Sequence, residues 1–244
     1  MVNKIIKKIE FLFFIIFIIL TVGGIFAEIG FITNTPSWAP NLFMMIGSLL
    51  IFIYSKGKLK YLLIFVGLLG FFYEVLGVKT GILFGSYNYT DVFNLKILSV
   101  PIVMVSAWII IVNFSLSFMH NIKRNYFVFL GSISMVIIDL VIDPIAVNGL
   151  EIWTWDQNGY YYGIPNHNFL GWFILSIPIF GVLNFVKEKI DIKSRIISNL
   201  VICFFSIIGF INKIYFPASL GIALILLNAL LYFNEIKEKN KNAL

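Results

Sequence analysis

The chain is poor in charge. Only 12% of its 244 residues are Asp, Glu, Lys or Arg, against about 25% in a typical soluble domain. With 60% hydrophobic residues it has too little polar surface to remain disordered. Cys203 is its single cysteine and lies within an apolar run, which excludes a secreted disulfide scaffold. The two histidines, His120 and His167, have no metal-ligand spacing with it. The sequence contains no Gly-x-x-x-x-Gly-Lys loop to cradle phosphate and no serine nucleophile elbow. It also has no repeat, low-complexity tract or long polar linker, so residues 1–244 read as a single domain.

Long apolar runs dominate what is present, with a mean hydropathy of +0.95. A helix needs roughly 20 mainly apolar residues to cross a hydrocarbon core of roughly 30 Å. Eight segments qualify: 11–31, 37–54, 61–78, 97–119, 126–146, 169–186, 196–211 and 215–233. The expectation is an all-α integral membrane bundle of eight transmembrane helices, or seven if the first is removed as a signal peptide after Ala27. The second span is the weakest of the eight, because its strictly apolar part is short enough to be re-entrant.

The net charge of +6 raises nucleic acid as a partner, but its distribution points to a membrane instead. Eight crossings put Lys4, Lys7 and Lys8; Lys56, Lys58 and Lys60; Lys123 and Arg124; Lys187, Lys189, Lys193 and Arg195; and Lys237, Lys239 and Lys241 on one side. These are 15 of the 18 basic residues, and the other side keeps Lys79, Lys96 and Lys213. By the positive-inside rule both termini are cytoplasmic, and the expected location is the cell membrane.

Ionisable groups inside a membrane are costly and mark function by default. Glu28, Glu74, Asp139 and Asp143 all fall toward the non-cytoplasmic half of their spans. Glu28 reads as the outer end of its helix. Glu74 belongs to a stripe with Gly67, Gly70, Gly77 and Gly81, a spacing that gathers five residues on one helix face. Small residues admit a neighbouring helix, so the stripe turns Glu74 into the bundle. Asp139 and Asp143 share a face with Ser132, and Pro144 is expected to end or kink their helix. Two carboxyls at that spacing in a low dielectric suit the sharing of one proton, which makes an acid and base pair. Ser106, Asn113, Ser117 and His120 form a polar stripe read as interhelical hydrogen bonding.

The non-cytoplasmic loops, 79–96 and 147–168, are rich in aromatics. Residues 84–91 read FGSYNYTD and residues 150–172 read LEIWTWDQNGYYYGIPNHNFLGW. An interfacial belt explains some of these rings. Their density also suits a wall for a long apolar ligand, built from Trp153, Trp155, Tyr160, Tyr161, Tyr162 and Trp172, whose π-faces attract a transient cation.

Four strings, YEVLGVKTGILFGSYNYTD (73–91), VP (100–101), DLVIDP (139–144) and YYGIPNHNFLGW (161–172), resemble the CruF-type family of membrane carotenoid hydratases. The family includes bisanhydrobacterioruberin hydratases and carotenoid 1,2-hydratases. One departure is VFNLKILSVP (92–101), where a more glycine-rich approach to Val-Pro is expected. The resemblance implies hydration of a terminal C=C of an acyclic carotenoid without a cofactor or metal. It further implies Glu74, Asp139 and Asp143 as the acid–base groups. Tyr73, Tyr87, Tyr89, Trp153, Trp155, Tyr161, Asn168 and Trp172 are the expected substrate contacts. Membrane lipid and other carotenoid-pathway membrane enzymes are the partners it suggests.

Two other classes fit parts of the pattern. An Asp-x-x-x-Asp pair can hold Mg²⁺ bridged to a prenyl diphosphate, but that site also wants several basic groups. Buried acids also serve proton-coupled transporters, and a pigment-assembly factor needs no reaction at all. Dependence on Mg²⁺ and a diphosphate marks the first; flux without pigment chemistry marks the second.

Overall fold

The computed structural model describes residues 2–186 and 188–241. Lys187 lies outside the described residues, as do the side chains of Lys4, Lys239 and Lys241, all of which the charge argument uses. Eight helices carry the fold among the described residues: α1 (Val2–Glu28), α2 (Ala39–Tyr54), α3 (Gly57–Thr80), α4 (Met104–Leu116), α5 (Arg124–Asn148), α6 (Asn166–Leu183), α7 (Ile192–Ile211) and α8 (Tyr215–Lys241). Six are long and apolar enough to cross a membrane; α2 and α4 are shorter apolar helices. The bundle is that of a polytopic membrane protein. Its outer surface shows large apolar side chains such as Phe11, Phe72, Leu226 and Leu230, as a hydrocarbon solvent permits.

Each expected span contains a helix, but the fourth is much shorter than the hydropathy suggests. Residues 96–101 are not helical: β2 (Lys96–Ile97) and β3 (Val100–Pro101) pair antiparallel. The two residues joining them, Leu98 and Ser99, have φ of 52° and 68°. A two-residue turn with both positions at positive φ is the primed hairpin turn that Asn-Gly normally fills. The segment that departs from the family pattern thus builds a glycine-type turn without glycine.

Pro144 does not end α5, although ending the helix is one of the two outcomes expected of it. The helix continues to Asn148. Proline cannot donate to the carbonyl four residues earlier, which is Leu140. That freed oxygen accepts the Tyr161 hydroxyl at 2.7 Å. The loop therefore supplies the hydrogen bond that the helix lacks.

Gly67 and Gly70 of the α3 stripe form an interface for α4. Gly77 packs against Phe84, and Gly81, expected on the same helix face, is instead the left-handed residue that ends α3. A side chain at Gly67 would meet the Val105 carbonyl, and one at Gly70 would overlap the Trp108 ring. Two members of the polar stripe, Ser106 and Asn113, bond between helices, whereas Ser117 bonds the Asn113 carbonyl one turn earlier. Ser106 meets Ser48 of α2 at 2.9 Å, and Asn113 donates to the Ser194 carbonyl of α7 at 3.0 Å. At the far end of the bundle, buried Arg195 of α7 pairs with Glu235 of α8 at 2.8 Å, and His120 lies 3.7 Å from the same carboxylate.

The aromatic loops are also not irregular. β1 (Tyr87–Tyr89) and β4 (Trp153–Trp155) form an antiparallel ribbon, with Tyr87 opposite Trp155 and Tyr89 opposite Trp153. Side chains alternate along a strand. The Y-N-Y and W-T-W strings therefore turn four aromatics to one face and leave Asn88 and Thr154 exposed.

Candidate active site

Under the inward face of this ribbon lies a small apolar cavity of about 70 Å³. Glu74 from α3 and Asp139 and Asp143 from α5 all line it. Their relative exposures are 7%, 4% and 1%, so the three carboxyls share one solvent-shielded space. Four aromatic residues of the ribbon, Asn168 and Trp172 of α6, and Trp108 of α4 complete its polar and aromatic wall.

Glu74 is held by three donors. Tyr87 donates to Oε2 at 2.5 Å, Tyr89 to the same oxygen at 2.8 Å, and the Trp108 indole to Oε1 at 3.0 Å. Burial, reinforced by the neighbouring Glu74, pushes both phenols well above their ordinary pKa, so they remain O–H donors. Glycine at position 70 makes this geometry possible, because any larger residue would occupy the place of the Trp108 ring. Trp108 in turn stacks on Trp172 with centroids 4.6 Å apart and planes 17° apart.

The two aspartates are bridged instead of clamped. Asn168 Nδ2 donates to Asp139 Oδ2 and Asp143 Oδ2, each at 2.8 Å. One amide group serves two carboxyls, which leaves oxygens of both with capacity to exchange a proton. The Trp153 indole N–H is near Asp143, yet it forms no well-aligned hydrogen bond, and neither does buried Trp155 Nε1.

Most of the expected substrate contacts converge here, but two stand elsewhere. Tyr87, Tyr89, Trp153, Trp155, Asn168 and Trp172 line the cavity; Tyr73 and Tyr161 do not. Tyr73 packs edge-on behind Trp108 at 6.0 Å, and Tyr161 is committed to Leu140. Tyr160 is fully exposed and Tyr162 is 38% exposed, and neither lines the cavity. Glu28, outside the cavity, accepts from Asn212 at 2.6 Å.

Trp108 is the residue the sequence does not single out. Its signal is a polar-tipped aromatic in mid-span, whose N–H must find an acceptor when buried. Val201 and Phe205 of α7 also reach the cavity, from a part of the chain that resembles nothing diagnostic. Among the described residues, no group of three or more His, Cys, Asp or Glu side chains is arranged to hold a metal ion.

No curated protein and no solved structure matches the chain significantly. A family described as carotenoid biosynthesis protein matches residues 40–228, more than three quarters of the sequence. That interval spans the three acids of the cavity, the ribbon and the helices that carry them. The chain belongs to the CruF-type carotenoid biosynthesis protein family.

Proposed function

We propose that this protein is a carotenoid hydratase, adding water to a terminal C=C of an acyclic carotenoid to give a tertiary alcohol. The observation that carries this reading is the convergence of three buried carboxyls and stacked indoles on one apolar cavity. Membership of a carotenoid biosynthesis family supplies the substrate class.

The chemistry follows from an electron-rich trisubstituted alkene. A proton goes to its less substituted carbon, the π pair forms the new C–H bond, and a tertiary carbocation remains. Water attacks that carbon, and the resulting oxonium returns a proton to a carboxylate. One water is consumed per C=C, with no change of redox state and no cofactor needed. The Asp139/Asp143 pair is the proton exchanger, since a single shared donor leaves it free to give and take a proton. Glu74, fixed by three donors, is the electrostatic partner of the cation. The Trp108 and Trp172 faces add cation–π attraction.

The 15-to-3 split of basic residues supports an arrangement with both termini cytoplasmic and the cavity near the outer leaflet of a cell membrane. Expression in a host that makes acyclic carotenoids tests the reading. Mass spectrometry is expected to find products heavier by one water per modified end. An unchanged pigment profile, with the protein present in the membrane, would overturn it.

A further inference from the structure

A second apolar space adjoins the acid cavity. It lies between α1, α2, α7 and the outer segments, with a volume of about 350 Å³, against about 70 Å³ for the cavity itself. Gly23 and Ala27 of α1, Pro36 in the α1–α2 connection, Phe43 of α2 and Phe204 of α7 are among its walls. Met44, Phe93, Ile152 and Phe205 line both spaces, so a partition one side chain thick separates them. All four are apolar, and methionine in particular can change rotamer at low cost.

We propose that this groove holds the polyene chain of the substrate, with only the terminal double bond passing the Met44–Phe93–Phe205 partition to reach the acids. The inference rests on the hydratase reading for the identity of the end that reacts. Its own support is the volume disparity: the acid cavity cannot hold more than a fragment of a carotenoid, and the larger apolar space lies directly across that partition. The groove's chemistry matches a long hydrocarbon. Its acidic member, Glu28, is engaged by Asn212, and the remaining walls are almost wholly apolar. Nothing lies within 4 Å of where a Cβ at Gly23 would project, so this position is open space. α1 is the least buried of the six long apolar helices, so the groove it walls lies at the edge of the bundle. A substrate dissolved in the bilayer can enter there sideways.

The test uses the full-length protein in detergent with an acyclic carotenoid and a short acyclic terpene that has the same trisubstituted end. Gly23→Trp places a bulky ring in the groove without touching the acid cavity. Gly23→Leu is the milder second variant, for the case that the larger ring disturbs packing. Binding of the polyene is read by the shift of its visible absorption, and turnover by mass spectrometry. Affinity for the carotenoid is expected to fall by about tenfold or more, while the short terpene is hydrated as by the unaltered protein. Wild-type affinity for the carotenoid in both variants would overturn the groove. If the unaltered protein hydrates neither compound, the hydratase reading fails, and the binding measurement still decides whether the polyene lies beside Gly23.

Discussion

Glu74 and the aspartate pair have similar burial but different surroundings, and substitutions should separate their roles. Asp139→Asn or Asp143→Asn keeps the shape and a hydrogen-bonding amide but removes the exchangeable proton. Each is expected to lower turnover by about 10²-fold or more, measured per amount of folded protein. Glu74→Gln should be as severe and also disturb its neighbours, since an amide nitrogen cannot accept from Tyr87, Tyr89 or Trp108. Wild-type turnover in all three variants would make the carboxyls structural and send the search to Asp91, Glu151 and Asp156 in the outer loops. Trp108→Phe separates positioning from packing. It retains a smaller ring against Trp172 and loses the donor to Glu74. Activity should fall by about tenfold, in kcat more than KM, because the bond matters most as charge develops. A change confined to KM would assign Trp108 to substrate binding alone.

At the level of elements, the α3–α4 contact and the hairpin before α4 are where local sequence meets packing. Gly70→Ala drives a methyl group into the Trp108 ring. It should destabilise the fold by about 1–3 kcal/mol, measured as a lower midpoint in thermal or denaturant unfolding. The reverse effect is expected at the turn. Leu98→Asn with Ser99→Gly supplies residues that accept positive φ, and should stabilise by about 1 kcal/mol with activity intact. The glycine stripe is legible in sequence because small residues at helical spacing have few other uses. The ribbon is also written there, as Y-N-Y and W-T-W alternation, but its pairing joins residues more than sixty positions apart. No local pattern specifies such a register. The passage of α5 through Pro144 is hidden for the same reason, since its compensation comes from Tyr161, far along the chain.

Over the whole molecule, hydropathy and charge locate eight helices and imply an orientation, because bilayer thickness and lysine placement are coarse constraints carried by composition. Reporter fusions after Lys60, Arg124 and Arg195 should report cytoplasm, and fusions after Asp91 and Gln157 the outside. A cytoplasmic signal at Gln157 would invert the arrangement of the cavity. The three acids are legible as exceptions to an apolar background, Asn168, Tyr87 and Tyr89 through the family strings, and Trp153 and Trp155 through the aromatic density of their loop. The α7 wall and the groove beside α1 are not legible, since Val201, Phe205 and Gly23 look like any membrane-helix residues until packing brings them together. Hydration requires that water itself supply the oxygen of the product. Membranes containing the protein are given an acyclic carotenoid in water labelled with heavy oxygen. Label is expected in the tertiary alcohol with no requirement for oxygen gas; label arriving from oxygen gas instead would make the reaction an oxygenation and overturn hydration.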